Sequence, residues 1–396
     1  MKIFYYFPLN LSIVWTIIRV NKYWIRRLTV INKARELMSH FCVQGELISA
    51  TGYGNGHINT TLRVQVDDNG AVKEYILQQI NINVFKNPRK LMKNYLGVTK
   101  FLRKKAQEAG GDPDREALNV IMTKEDKSFL MTDDGECWRL ILFVTDSVSY
   151  DMVEREEQFY DTGCAFGKFQ CDLADYPADT LYETIPNFHN TPDRLRLLKE
   201  AIEADPCDRV REVGDEIAFA LEREEFANTL ERAHAEGRLP LKVTHNDTKL
   251  NNILFDKKTG KPICVVDLDT IMPGYSVTDF GDAVRSGANT AAEDEKDTSK
   301  TTFSLSLYEA FTRGFIEGAG DGLTKGELEL MPTGAVMMAY ELGLRFLTDY
   351  LQGDTYFRPK RKGQNLDRAR NQFKLVRDME EKMPQMIEIV NKYSQI

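Results

Sequence analysis

The 396-residue sequence is poor in the residues that build metal centres and disulfide frameworks, with five histidines, six cysteines and no CxxC pair or Cys/His ligand spacing. Cys42, Cys137, Cys164, Cys171, Cys207 and Cys264 are scattered over more than 200 residues. That pattern supports neither a structural zinc site nor a disulfide scaffold. It reads as buried thiols in a reducing compartment, so a cytoplasmic location is expected. Positive charge is also short: 52 Lys and Arg stand against 60 Asp and Glu, a formal net charge of -8. No nucleic-acid partner is expected, because neutralising a phosphate backbone needs a basic face. Internal repeats and low-complexity tracts are missing. Long apolar runs are missing too, except at the start, where MKIFYYFPLNLSIVWTIIRV precedes the basic VNKYWIRR. Pro8, Asn10 and Ser12 interrupt that run, it falls short of a full span, and no small-residue cleavage site follows. Of the two readings, a membrane tether or an appended start, we take the second. Residues 1–31 are then an N-terminal extension outside the fold, and no membrane partner is expected.

What is present suits two lobes. The hydrophobic fraction is 42% over a length that can bury a sizeable core. NKARELMSHF (32–41) has helical apolar spacing. GELISATGYGNGHINTTLRVQVDDNGAVKEYILQQI then predicts three strands, the second and third joined at Asp68-Asn69-Gly70. Pro88 opens a helical pattern to about Ala109, and 119–124 and 136–144 are strand-like. Beyond 150 the periodicity is helical over 154–173, 192–204, 211–234, 301–318, 324–351 and 364–392. The exception is a hairpin at 251–269. The expectation is an α+β chain with a sheet-rich lobe over 32–148 that includes the helix from Pro88. A mainly helical lobe follows over 149–396, with the site in the cleft between the two.

The sharpest local pattern is His245-Asn246-Asp247-Thr248-Lys249-Leu250-Asn251-Asn252, followed by VVDLD with Asp267 near the end of a strand. Phosphoryl transfer asks little covalent chemistry of a protein. It needs an aspartate to take the hydroxyl proton, and carboxylate and amide oxygens to hold Mg²⁺ against the phosphates. Asp247 fits the base, Asn252 and Asp267 the metal ligands, and His245 a buttress for the loop backbone. Asp279-Phe280-Gly281 also spells a metal-binding tripeptide, but it follows a Pro-Gly turn and leads into a helical pattern, so Asp279 is expected to cap that helix. Gly54, Asn55 and Gly56 lie in a glycine-rich loop between two strands, where a flexible turn could cover nucleotide phosphates. The third strand carries Gln78 and Gln79 where a phosphate-pairing lysine would stand. Either a glutamine amide substitutes, or Lys73, Lys86 or Arg63 does.

With these motifs, the chain resembles the aminoglycoside phosphotransferase/choline kinase superfamily. Within it, GYGNGHINTT, YILQQIN, ETIPNFHNTPDR, HNDTKLNNILFD, VVDLDTIMPGYSVTDFGDAVRSGANT, LRFLTDYLQGDTYF and NLDRARNQFKLV look like the N-acetylhexosamine 1-kinases. These segments run from residue 52 to residue 376. The resemblance implies a protein-kinase-like two-lobed fold. It also implies Mg²⁺-dependent transfer from ATP to the anomeric hydroxyl of a sugar such as GlcNAc or GalNAc. By position it makes Asp247 the base and Asp267 a metal ligand, and it puts Arg345 and Tyr356 in a sugar-binding stretch; His189, in the polar-aromatic tract IPNFH, is a further sugar-binding candidate. Ordinary packing offers competing roles: an i,i+4 salt bridge from Arg345 to Asp349, and a helix cap from His189. Another sugar, an aminoglycoside or an amino alcohol is the alternative acceptor, and a non-catalytic binding module is a third reading.

Overall fold

The structure, a computed structural model, describes residues 30–54 and 59–394. The apolar start, and Asn55 and Gly56 of the glycine loop, lie outside the described residues. Two compact units emerge. One takes the described residues through Pro88 with Asn119–Thr145; the other takes Arg89–Leu118 with the chain from Asp146 onward.

The first unit is a helix on a twisted antiparallel sheet. Helix α1 (30–38) precedes β1 (Glu46–Gly52), β2 (Thr60–Asp68), β3 (Ala71–Ile80), β4 (Val120–Ile121), β5 (Leu130–Met131) and β6 (Cys137–Leu142). The order is β1-β2-β3-β6-β4, with β5 paired to β6. Asn69 and Gly70 join β2 to β3 with φ of 56° and 91°, as a two-residue hairpin turn requires. Strand alternation divides the sheet's faces. Val64, Leu77, Trp138 and Leu140 form one core with Ala34, Leu37 and Phe41. Thr61, Arg63, Glu74, Gln78 and Arg139 fall on the other face by register.

The second unit is mainly helical. It holds α2 (Pro88–Glu108), α3 (Pro113–Glu116), α4 (Glu156–Asp172), α5 (Thr191–Ala204), α6 (Gly214–Leu221), α7 (Glu224–Ala227), α8 (Thr229–Ala235), α9 (Ser276–Gly287), α10 (Leu305–Ala319), α11 (Lys325–Leu351), α12 (Gln364–Glu381) and α13 (Met383–Ser394). Five short strands complete it: β7 (Ser147–Val148), β8 (Lys242–Thr244), β9 (Ile253–Asp256), β10 (Pro262–Val265) and β11 (Met272–Gly274). The helix expected to belong with the first sheet groups here instead. Its buried Asn94 exchanges hydrogen bonds with the Tyr182 backbone (2.7 and 2.9 Å) and donates to the Ile271 carbonyl (3.0 Å).

Two expected long helices are divided. The 211–234 pattern breaks at Arg223 and Asn228, both off helical geometry. The 364–392 pattern breaks at Lys382, because Pro384 has no N–H to donate and its ring crowds the carbonyl four residues back. Among the described residues, no helix is long and apolar enough to cross a membrane.

α11 is the frame on which the site is hung. Thr324 and Glu327 form a reciprocal capping box at its start. The same buried Glu327 accepts from Lys242 Nζ of β8 (2.7 Å) and from Ser276 of α9. Further along, α9 meets α11 backbone to backbone. A Cβ on Gly281 would stand 2.3 Å from the Gly334 carbonyl oxygen, so no larger residue fits there.

Candidate active site

The loop after β8 carries the candidate base Asp247, and almost every backbone group in it is fastened. Asp279, in the first turn of α9, accepts from the His245 N–H (2.8 Å), the Asn246 N–H (2.7 Å) and Gln170 Nε2 (2.8 Å). Asp282, one turn on, accepts from the Thr248 N–H (3.0 Å) and pairs with Arg285 (2.7 Å). Asp279 therefore does not cap α9: the residue at the cap is Tyr275, and the carboxylate is spent on the loop. Burial pushes the Asp279 carboxyl above its ordinary range, against the pull of the two loop amides that donate to it. Burial pushes Asp282 the same way, but the charges of Arg285 and Lys249 outweigh it and hold that carboxyl low. The rest of the tripeptide is structural as well. Phe280 is fully buried among Tyr308, Phe311 and Phe315, and Gly281 is the contact with α11.

His245 is fully buried against Phe166 and Phe169. Its Nδ1 accepts from the Asp247 N–H (3.2 Å) and its Nε2 donates to the Val266 carbonyl (2.8 Å), which makes it the neutral Nε2–H tautomer. Val266 in turn donates its N–H to the Asn252 carbonyl (2.9 Å), and β9 pairs with β10 through Ile253 and Val265. His245, Asn252 and Val266 are thereby stitched together, and Asp267 follows directly, exposed and at φ 59°.

Asp247 is partly exposed, its Oδ1 2.6 Å from Lys249 Nζ. Asn252 Nδ2 donates to the Asp247 carbonyl (2.7 Å) and lies 3.4 Å from Oδ2. Sequence reasoning missed Lys249, although its place two residues after the candidate base was a usable signal. The donor set suits Mg²⁺, which is held by one or two protein oxygens and completes its shell with phosphate and water. Asn252 commits its amide nitrogen to Asp247, so its carbonyl oxygen is the atom that could meet a metal ion. Asp267 supplies an exposed carboxylate one residue past Val266. Three clustered His, Cys, Asp or Glu side chains, which would indicate a fully protein-built cage, do not occur among the described residues.

His189 does not cap α5; Asn190 does, accepting from the Asp193 N–H (2.9 Å). Instead, His189 Nδ1 lies 2.9 Å from Glu341 Oε1 on α11, and Nε2 lies 3.1 Å from the Asn246 carbonyl. Thr191 donates to the other Glu341 oxygen (2.8 Å). With both ring nitrogens engaged inside the chain, His189 acts here as a positioning residue between α11 and the Asp247 loop.

One turn beyond Glu341, the Arg345 guanidinium sits 5.5 Å from the Phe188 ring, 5.9 Å from Tyr356 and 5.5 Å from Phe357. No i,i+4 bridge to Asp349 forms. That carboxylate accepts from the Thr355, Tyr356 and Phe357 N–H groups and from Asn365, and so folds the Tyr356 loop. Tyr356 is 63% exposed, available to a ligand. A cavity of about 130 Å³ opens beside His189, lined by Asn187, Phe188, Asn246 and Tyr275 among others.

In the sheet unit, Gly54 is described, with φ 77°. Lys73 pairs with Asp68 beside the hairpin turn (2.7 Å), and Arg63 pairs with Glu74 (2.6 Å) while stacking over Phe143. Gln78 donates to Thr61 (3.0 Å) and accepts from Nε and Nη2 of Arg139, directly opposite on β6.

Solved structures share this architecture. A spectinomycin phosphotransferase in complex with ADP and spectinomycin is 14% identical, covering 92% of this chain and 98% of that one, with a TM-score of 0.52. An aminoglycoside phosphotransferase from Alicyclobacillus acidocaldarius is 12% identical over 91% and 96%, with a TM-score of 0.53. A choline kinase from Cryptosporidium parvum is 14% identical over 88% and 93%, with a TM-score of 0.51. At these identities the likeness establishes the fold, α+β with an antiparallel sheet and a larger helical part. Residues 49–315, well over half of the sequence, match the phosphotransferase enzyme family, and the chain belongs to that family.

Proposed function

We propose that the protein transfers the γ-phosphoryl of ATP to the anomeric hydroxyl of an N-acetylhexosamine, giving the sugar 1-phosphate. The observation that carries the acceptor assignment is the Arg345 cluster. A guanidinium ringed by Phe188, Tyr356 and Phe357 offers hydrogen-bond donors beside stacking surfaces, which suits a neutral, hydroxyl-rich ring. A cationic amino alcohol would want those ring faces for itself, and would meet a like charge on them. Glu341, one turn before Arg345, is tied through His189 to the carbonyl preceding Asp247, so the acceptor segment and the base move as one body.

In this reading Asp247 takes the proton of the attacking hydroxyl, the sugar oxygen bonds to the γ-phosphorus, and the bond to the β-phosphate oxygen breaks to release ADP. Asn252 and Asp267 would hold Mg²⁺, which when bound neutralises phosphate charge. Gly54, Asn55 and Gly56 would cover the phosphates. Lys249 holds one Asp247 oxygen and so orients the carboxylate toward the acceptor. The test is a phosphate-donor assay over N-acetylhexosamines, other sugars, aminoglycosides and amino alcohols, with product position assigned by phosphorus NMR. The expected product is the 1-phosphate of an N-acetylhexosamine, and the 1-O-methyl glycoside should be inert. A methyl glycoside phosphorylated as well as the free sugar would sink the 1-kinase reading.

A further inference from the structure

We propose that Glu293, on the loop between α9 and α10, is a specificity-determining residue that accepts a hydrogen bond from a sugar hydroxyl other than the attacking one. This role presupposes the sugar-acceptor reading above and adds to it a named contact. A sugar hydroxyl donates as well as accepts, whereas a guanidinium only donates. Arg345 therefore meets half of what each hydroxyl offers, and a carboxylate suits the other half.

Most carboxylates around the Arg345 cluster are already consumed. Glu341 is 1% exposed, with one oxygen on His189 and the other on Thr191. Asp349 holds three backbone N–H groups and Asn365. Asp354 pairs with Arg209 (2.6 Å), and Asp282 is bound to Thr248 and Arg285. Glu293 differs. Its side chain is 40% exposed, with Oε1 3.2 Å from Arg285 Nη1 and Oε2 3.6 Å from Arg368 Nε. The second distance is too long for a hydrogen bond. Arg368 Nε, shut off from solvent, has no hydrogen-bond partner among the described residues. Oε2 thus keeps its lone pairs for a ligand.

The two arginines locate this carboxylate. Arg285 is bound to Asp282, which holds the Thr248 N–H of the Asp247 loop. Burial pulls the Arg285 pKa down, but the charges of Asp282, Glu293 and Asp247 raise it above its ordinary value. Arg368 lies 5.3 Å from the Phe346 ring, which packs at 4.6 Å on Phe357 of the Arg345 cluster. Glu293 therefore stands between the candidate base's loop and the acceptor segment. It is also held still, because α12 fastens both of its neighbours. Asn371 donates to the Ala292 carbonyl (3.1 Å), and Gln364 and Arg361 each donate to Asp294 (2.8 Å). A carboxylate fixed in this way loses little freedom on meeting a hydroxyl, which favours binding.

The experiment measures kcat and KM of the full-length protein for the sugar and for analogues that each lack one hydroxyl other than the anomeric one. The proteins are wild type, Glu293→Gln, Glu293→Ala and the control Lys296→Ala, an exposed residue of the same loop. Glu293→Gln keeps the shape beside both arginines, which protects the fold should the alanine variant loosen the loop. The sugar KM should rise about 10-fold or more in Glu293→Ala, the scale of a hydrogen bond to a charged group. Glu293→Gln should lose less, because its carbonyl still accepts. The nucleotide KM should stay put in both, and Lys296→Ala should match wild type. One deoxy analogue should carry a similar loss with wild type and no further loss with Glu293→Ala, since a single hydrogen bond is removed only once. Losses that simply add for every analogue would overturn the proposal, as would an equal rise in the nucleotide KM. A product phosphorylated away from the anomeric position would defeat the 1-kinase reading alone, with the same coupling still deciding Glu293. Turnover of amino alcohols and of no sugar would overturn both.

Discussion

The His189–Glu341 pair makes a prediction in which both sign and size follow from geometry. A largely buried imidazole facing a carboxylate oxygen at 2.9 Å and a backbone carbonyl at 3.1 Å meets two acceptors, so it satisfies both only as the doubly protonated ion. Burial pulls its pKa down, but the Glu341 charge and hydrogen bond, aided by the more distant Asp282, raise it above the ordinary value. For Glu341, burial pushes up, while His189, Arg345 and Arg194 hold it below the usual carboxylate range. The imidazolium's contribution to stability is full below about pH 6.5, the unfolded value, and fades as pH rises through the raised folded value. The carboxylate's contribution is present above about pH 4.3 and is lost as pH falls through its lowered folded value. The pair therefore stabilises most between those limits.

Glu341→Gln keeps the shape and lets His189 become neutral, with Nε2–H still on Asn246 and Nδ1 accepting from the new amide. A charged hydrogen bond contributes about 1.5–3 kcal/mol and a neutral one about 0.5–1.5 kcal/mol, so the difference near pH 6 is about 1–1.5 kcal/mol. No solvent-screening discount applies, since the side chains are 11% and 1% exposed. At about 2–4 °C per kcal/mol, Tm should fall by about 2–6 °C at pH 6. The gap should close toward pH 9. Thermal melts of both proteins from pH 5 to 9, with the His189 ring followed by proton NMR, test this. A pH-independent gap, or a His189 that titrates at its ordinary value, would refute the doubly protonated state.

Asp247→Asn should lower kcat by about 10²–10⁴-fold while ATP affinity, measured by calorimetry, barely moves. Asp267→Ala should abolish Mg²⁺-dependent nucleotide binding as its chief effect. Asp279→Ala should do the reverse: it orphans three donors, each worth about 1–3 kcal/mol when buried unsatisfied, so Tm drops sharply. The opposite pattern in the same two assays would mean that the metal aspartate has been misassigned. Arg345→Ala should raise the sugar KM about 10-fold or more, for a lost donor of about 1–3 kcal/mol, with the nucleotide KM unchanged. Equal increases in both would remove Arg345 from the acceptor site.

Much of the architecture was legible in the residues because it depends on local rules. Period-two alternation marked β2 and β3, Asn69-Gly70 marked their turn, and two strands around Lys258-Thr259-Gly260 emerged as β9 and β10. The α+β division followed from where that periodicity changes. The spacing in HNDTKLNN likewise confined Asp247 and Asn252 to one loop. Where local signals were weak the reading strayed. Three short helices replaced the one expected over 211–234, and the helix from Pro88 joined the other unit, because Asn94 finds its partners there.

Sequence by itself determined which groups are available for chemistry, since composition and motif spacing survive any folding. Tertiary structure alone decided what each group is free to do. Asp279 and Asp247 are both aspartates on turns near the same loop. One is consumed by two backbone N–H groups and an amide, and the other is left partly exposed beside Lys249. His189 turned from a candidate sugar ligand into a link between α11 and the Asp247 loop once both nitrogens had partners 152 and 57 residues away. Hydrogen-bond partners so distant along the chain leave no periodic trace in it, because nothing but the packing of the elements brings them together.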